Sequence, residues 1–238
     1  MTTDLNSFQK ECHDKISVLA QTSTNSEPIY DGIYDIDGYS NSPLKIMWIL
    51  KEAYSIDENG NNTHNGSWAI YDCWEDDAVN VIKQNKTWSV MAQILYGINT
   101  GCQYDDMPPI DETMVNLLKS SVYINVNKMS GETTTQKALK NEYKIWKEIL
   151  FEQINGYNPD VIIFGNTYNL FESDFEKENS PLKSVRVDNS GESIAPIYKT
   201  TNGKFLIDTF HPIQTQYKRQ KFINSIINNI RITINYEK

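Results

Sequence analysis

Short apolar segments that alternate with helical patterns constrain the fold of this chain more than any other feature. The segment LKIMWIL (44–50) is apolar apart from Lys45, as expected of a central strand that is covered on both faces. VYINV (122–126), VIIFG (161–165) and FLIDTF (205–210) follow it at wide intervals. Apolar residues at helical spacing lie between them, most clearly from Thr135 to Asn155. This alternation predicts an α/β three-layer sandwich, in which helices flank a mainly parallel central sheet.

Local turn signals divide the rest of the chain into further elements. Asn202 and Gly203 form a pair that suits a tight primed turn, so the segment 194–210 is predicted to contain a hairpin. Helices are also predicted over roughly 74–96, in DETMVNLLKSS (111–121), and in the C-terminal segment 216–234. We expect a single domain over residues 1–238, with residues 1–43 as an N-terminal extension of it.

The composition narrows the classes of function. The chain has 22 Lys and Arg residues against 31 Asp and Glu residues, and the net charge of −9 counts against tight nonspecific DNA binding. Cys12, Cys73 and Cys102 form no CxxC pair, so we expect reduced thiols, no metal and no cofactor. The polar N-terminus has no signal-peptide core, and no apolar run is long enough to span a bilayer. We therefore expect a cytoplasmic monomer that does not bind membranes.

Polar segments follow three of the predicted strands: KEAYSID (51–57), NVNKMSG (125–131) and HPIQTQ (211–216). In open parallel sheets, ligands bind beyond the carboxyl ends of the strands, so these segments are the predicted site. His211 alone among the three histidines follows a predicted strand, although a histidine in an ordinary turn would look the same in sequence. We expect His13 and His64 to lie on the surface.

The order of these segments resembles the uracil-DNA glycosylase superfamily, as in a divergent bacterial member. Glu52 and Ala53 match the Gly-Glu-Ala-Pro-Gly loop of that family, although the glycines and the proline are absent. Trp68 stands where the family has an aromatic residue that stacks on a flipped base. INVNK (124–128) resembles the Asn-Val-Val-Lys-like segment, and NPDVIIFGN (158–166) resembles the strand that follows it. HPIQ (211–214) resembles the family's His-Pro-Ser motif, with isoleucine in place of serine.

The resemblance implies a DNA glycosylase that hydrolyses the N-glycosidic bond of uracil or another modified pyrimidine in DNA. Glu52 would orient water or balance the charge of the sugar cation, and His211 would donate a hydrogen bond to the pyrimidine O2. Asn125 would pair with the base edge, Trp68 would stack on the base, and Tyr54 would shape which base enters. The residues expected to contact DNA are Lys128, Gln214, Lys218, Arg219 and Lys221.

Each of these residues also has an ordinary structural interpretation. Asn125 fits a turn at a strand end, Glu52 a solvent-facing charge, and Trp68 a core residue. The basic run after His211 fits a solvated helix face. Two other functions therefore stay open. One is a member of the same fold that has lost catalysis and binds a nucleotide, DNA or a protein, and the other is a different α/β hydrolase that acts on nucleoside-like substrates.

Overall fold

A six-stranded, mostly parallel sheet forms the centre of the computed structural model, which describes residues 4–23, 27–53, 68–130, 136–179, 183–186 and 194–235. Its strands are β2 (Ile46–Leu50), β4 (Val122–Asn125), β5 (Val161–Gly165), β6 (Lys183–Arg186), β7 (Ile197–Lys199) and β8 (Phe205–Thr209). Their spatial order is β4-β2-β5-β8-β7-β6. The first four are parallel, whereas β7 and β6 are antiparallel and form one edge. A separate parallel pair joins β1 (Ile29–Tyr30) to β3 (Trp68–Ala69).

Helices cover both faces of the sheet, so the described residues form a three-layer α/β structure. They are α1 (Leu5–Ser23), α2 (Ile36–Asn41), α3 (Ala78–Gln84), α4 (Lys86–Thr100), α5 (Glu112–Lys119), α6 (Gln136–Tyr157), α7 (Tyr168–Asn179) and α8 (Arg219–Asn235). Residues of α3, α4, α5 and α8 pack in one core cluster, and residues of α1, α6 and α7 pack in the other. The predicted α/β class with a mainly parallel central sheet is confirmed. The predicted hairpin is confirmed as well, since β7 and β8 are antiparallel across Gly203.

Successive strand residues supply the two core clusters alternately because side chains of a strand point to opposite faces. In β2, Trp48 packs against the first cluster, whereas Met47 and Ile49 pack against the second. All five residues of β2 are buried, which explains why this strand reads as a continuous apolar run. Burial of each such side chain contributes about 1.5–3 kcal/mol.

Polar side chains set the helix boundaries near the sheet. Asn85 separates α3 from α4, and its side-chain oxygen accepts hydrogen bonds from the backbone N–H groups of Thr87 and Trp88. The predicted helical region 74–96 therefore contains two helices. Helix α4 ends at Gly101, whose backbone takes a left-handed conformation with φ of 84° and whose N–H donates to the carbonyl of Gly97. The Asp111 side chain caps α5 in the same way as Asn85 caps α4.

The N-terminal helix is part of the second core cluster rather than an appended segment. Phe8, Cys12 and Ile16 of α1 are buried, and the ring of Phe8 meets the ring of Tyr157 edge to face at 5.1 Å. Burial raises the pKa of the Cys12 thiol to about 12, so this cysteine stays protonated. His13 is half-buried and bonds the backbone carbonyl of Asp31 at 2.9 Å, so its predicted surface position is wrong. His64 lies outside the described residues.

A fully buried ion pair joins this N-terminal region to the sheet. The Lys128 ammonium lies 2.7 Å from the Asp31 carboxylate, and both side chains have 0% exposure. Lys128 also donates to the side chain of Gln153 at 2.8 Å, and Gln153 donates to Asp31 at 2.9 Å. The Asp31 carboxylate accepts a further hydrogen bond from the backbone N–H of Asn125 at 2.7 Å. One carboxylate therefore holds α6 and the end of β4 together.

The predicted DNA contact of Lys128 is wrong for a physical reason. Its ammonium forms an ion pair with Asp31 inside the protein, where DNA phosphates cannot reach it. Burial lowers the pKa of Lys128, and the Asp31 carboxylate opposes that effect. The sequence alone could not separate this lysine from a surface one, because its acidic partner lies 97 positions away.

No helix among the described residues is both long and apolar enough to cross a membrane.

We expect the substitution Lys128→Met to lower the free energy of unfolding by about 3–5 kcal/mol, because it leaves the Asp31 carboxylate buried without its counter-ion. Urea denaturation followed by tryptophan fluorescence measures this change. The matched control is Lys140→Met on the exposed side of α6, which we expect to change stability by less than about 0.5 kcal/mol. Equal effects of the two substitutions would contradict a structural role for the ion pair.

Candidate functional site

The candidate site lies at the carboxyl ends of the parallel strands, where β2 and β4 leave the sheet side by side. Leu50 pairs with Asn125 in the last rung of the ladder. The pairing continues beyond it, since the N–H of Val126 donates to Leu50 and the N–H of Asn127 donates to Lys51. The polar segments after the two strands are therefore held next to each other. This brings Glu52 and Asn125 to one edge of the sheet.

Gly165 brings His211 to the same place. Its missing side chain faces Leu50, since a Cβ at Gly165 would lie 2.2 Å from Leu50 Cδ2. The same Cβ would lie 3.4 Å from Pro212 Cδ and 3.7 Å from His211 Cα. The chain after β8 thus folds across the end of β5 toward β2. Because β4 and β5 are two strand spacings apart, Asn125 and Gly165 are separated by about 10 Å.

His211 is a neutral imidazole at this edge. Burial and, to a smaller extent, the positive charge of Lys51 lower its pKa to about 4. The backbone N–H of Ile213 donates to Nδ1 at 3.4 Å. In a neutral imidazole the second nitrogen then carries the proton, so Nε2 is a hydrogen-bond donor. The same residue that the sequence singled out is therefore suited to donate a hydrogen bond at neutral pH.

Asn125 offers a hydrogen-bond acceptor that the protein does not use. The residue is 2% exposed, and its Oδ1 is buried with no hydrogen-bond partner among the described residues. Such an atom costs roughly 1–3 kcal/mol, which favours a role with a bound partner. Its backbone N–H donates to Asp31, and its side chain lies near the Tyr123 phenol.

Tyr123 is a site residue that the sequence interpretation missed. It precedes Asn125 by two positions and so points to the same face of β4, as strand periodicity allowed one to predict. Burial raises the pKa of its phenol, and the Asp31 and Glu52 carboxylates add to that effect, so the group stays protonated. The side chain of Trp88 in α4 lies near this phenol and lowers its pKa. No sequence signal linked Trp88 to this edge.

Glu52 lies at the end of β2, half-buried, and its charge acts on Tyr123. Lys51, beside it, acts electrostatically on His211. Glu52, Asn125 and His211 thus share one edge of the sheet. Tyr54 lies outside the described residues. For Trp68 the backbone is described, in β3 opposite Ile29, but not the side chain.

Some of the predicted DNA-contacting residues after His211 are hydrogen-bonded within the protein, and others are exposed. The Gln214 side chain donates to the carbonyl of Tyr217 and accepts from its N–H, so it closes the turn before α8. The Arg219 guanidinium donates to Ser89 and Gln93 of α4 while staying exposed overall. Lys218 and Lys221 are exposed at the start of α8. Two lysines and part of one arginine therefore present positive charge near the strand ends.

No protein-family model and no curated protein matches this chain. Within the described residues, no three histidine, cysteine, aspartate or glutamate side chains are grouped so that they can hold a metal ion. The side chains that the structure does bring together are a carboxylate, an amide, a phenol and a neutral imidazole. These groups can bind a flat polar ring along its hydrogen-bonding edges and stabilise negative charge that develops on it.

We expect the His211 imidazole to titrate with a pKa of about 4 in the folded protein. Because this value is below the unfolded value of about 6.5, the unfolded chain binds more protons between these limits. The contribution of this residue to the free energy of unfolding is therefore fully present above pH 6.5, and it is lost as the pH falls from 6.5 through 4. NMR titration of the imidazole protons measures the pKa, with His211→Gln to assign the signal.

Two variants test the cause of this shift. Lys51→Met removes the nearby positive charge, so we expect the pKa of His211 to rise, whereas Lys140→Met on α6 should leave it unchanged. A wild-type midpoint near 6.5 would show that His211 is solvated and would contradict its placement at a partly buried edge.

Proposed function

We propose that this protein is a DNA glycosylase that hydrolyses the N-glycosidic bond of uracil or another modified pyrimidine, on a uracil-DNA glycosylase-like fold. One observation carries the proposal. Asn125, with an unused buried acceptor, and His211, with a donor nitrogen, flank Leu50 on the same face of the sheet. The order of motifs that resembles the uracil-DNA glycosylase superfamily supports it.

A pyrimidine between these two residues meets complementary groups. Its N3–H donates to Asn125 Oδ1, and its O4 accepts from the amide N–H of the same side chain. Its O2, which lies on the other side of N3 from O4, accepts from Nε2–H of His211. A base inside a duplex cannot reach such a site, so the nucleotide must first leave the stack.

The reaction breaks the bond between C1′ of the sugar and N1 of the base. The bonding electron pair moves to the base, and His211 stabilises the negative charge that develops on O2. The sugar becomes cation-like, and the Glu52 carboxylate balances this charge and orients the attacking water. The water oxygen bonds to C1′, and its proton passes to Glu52 or to solvent. The low pKa of His211 fits this scheme because a neutral imidazole donates a hydrogen bond without adding a fixed charge.

Positive charge at the start of α8 supports a DNA partner despite the net charge of −9. Lys218 and Lys221 are exposed within ten residues of His211, where they can contact phosphates on either side of a flipped nucleotide. Salt screens charges beyond about 10 Å, so this local group acts largely independently of the acidic remainder.

A binding protein of the same fold that has lost catalysis is the second candidate. It is favoured by the segment after β2, which has Glu52 but lacks the glycines and the proline of the family loop. The burial of Lys128 favours it too, because it removes one expected phosphate contact. In this alternative the edge recognises a nucleotide, DNA or a protein without breaking a bond.

Incubation with labelled uracil-containing oligonucleotides, single-stranded and duplex, followed by alkaline cleavage, tests the proposal. We expect strand breaks at uracil or at another pyrimidine in a panel of modified bases. His211→Gln should lower the turnover rate by about 10²–10³-fold, because it removes a donor to the developing charge. Asn125→Ala should reduce activity as well, whereas Asn80→Ala on the exposed side of α3 should not.

Other outcomes separate the alternatives. DNA binding without any excision, weakened by salt and by Lys218→Glu, supports the binding protein. Cleavage of free nucleosides but not of DNA supports a nucleoside hydrolase. Absence of product from uracil and from the whole panel contradicts the glycosylase.

A further inference from the structure

A large cavity lies at the end of the sheet opposite to the candidate site. It is found at the amino ends of β2 and β4, between α4, α5 and α8, and its volume is about 700 Å³. Small-molecule sites in proteins usually have about 300–1,000 Å³. None of Glu52, Asn125 and His211 lines it. A ligand in this cavity would therefore bind independently of the proposed glycosylase site.

One side of the cavity is apolar. It is formed by Leu44, Ile46, Leu95, Ile98, Leu117 and Ile234, whereas the rest of the lining is mostly polar. Ile46, Leu95 and Ile98 are buried, and Leu117 and Ile234 are half-buried and close the cavity from α5 and α8. The body of a ligand on this side would be apolar, because the removal of methylene groups from water is favourable.

Arg231 is the one charged residue in this lining. Its Nη1 donates to the carbonyl of Ile98 at 2.8 Å, which fixes the guanidinium at the end of α4. Gly101 leaves room for it, since a Cβ there would lie 2.9 Å from Nη2. No carboxylate among the described residues forms an ion pair with Arg231. The other four of its five N–H donors have no acceptor within the part of the chain that the structure describes.

Two hydroxyl groups of the lining are already used by the protein. Ser120 donates to the Asp35 carboxylate, and Ser121 donates to the carbonyl of Leu118. Asn99, Thr113 and Asn116 add neutral polar groups, so the guanidinium is the group of the described lining that would select an anionic end of a ligand. A planar fork with one positive charge matches a carboxylate in charge and geometry.

We propose that this cavity binds a small amphipathic monocarboxylate, with its alkyl or aryl body against the apolar wall and its carboxylate on Arg231. The carboxylate would then lie at Arg231 in α8, and the apolar body would lie beside Leu44 and Ile46 at the start of β2. The proposal does not depend on the glycosylase activity.

Isothermal titration calorimetry with octanoate as the probe tests it, with octanol and octylamine as uncharged and cationic controls of the same length. We expect saturable binding of octanoate, about tenfold or more tighter than that of octanol, and no binding of octylamine. Arg231→Gln should reduce octanoate affinity to that of octanol and leave octanol unchanged. Leu117→Trp should weaken binding of both, because the larger side chain takes up part of the space beside the apolar wall.

Thermal unfolding of each variant shows whether it is folded, since Arg231 also contacts the end of α4. Addition of octanoate should raise the melting temperature of the wild type more than that of the Leu117→Trp variant. Absence of saturable octanoate binding would overturn the proposal. Equal binding of octanoate and octylamine, or a wild-type preference for octanoate in Arg231→Gln, would overturn the assignment of Arg231.

Discussion

The buried carboxylate of Asp31 is the interaction on which the geometry of this protein depends. It accepts hydrogen bonds from the Lys128 ammonium, from Gln153 in α6 and from the backbone N–H of Asn125. Three separate parts of the chain thereby meet at one charge. Since the backbone of Asn125 is fixed in this way, its side chain keeps its place at the strand end while its own oxygen stays unused. Burial of the ion pair costs desolvation energy, and the pair fixes the position of the Asn125 backbone.

A second constraint is the absence of a side chain at Gly165. Any Cβ there would collide with Leu50, and Pro212 and His211 pass the same point at van der Waals distance. The two constraints act on opposite sides of Leu50. One fixes the amide of Asn125, and the other brings an imidazole with a low pKa toward it. The chemistry proposed for these strand ends follows from the positions of the Asn125 amide and the His211 imidazole on either side of Leu50.

Much of the fold could be predicted from the sequence because burial leaves a direct mark on it. The segments 44–50, 161–165 and 205–210 are apolar since both faces of the parallel sheet are covered. The placement of Glu52, Asn125 and His211 at one edge follows from their positions after strands. Lys128 could not be placed, because a buried lysine and a surface lysine look alike until the partner is known. Trp88 and Asp31 were missed for the same reason, since tertiary contacts alone connect them to the site.

The central claim is that Asn125 and His211 form hydrogen bonds with the same base. NMR spectroscopy tests it most directly, through the side-chain amide signal of Asn125 and the imidazole signal of His211, during titration with an oligonucleotide that carries 2′-fluoro-2′-deoxyuridine. The fluorine slows cleavage, so the bound state persists. We predict that both signals shift along one binding curve while the side-chain amide of Asn80 does not move. DNA binding that leaves both signals in place, or that moves one without the other, would contradict the claim.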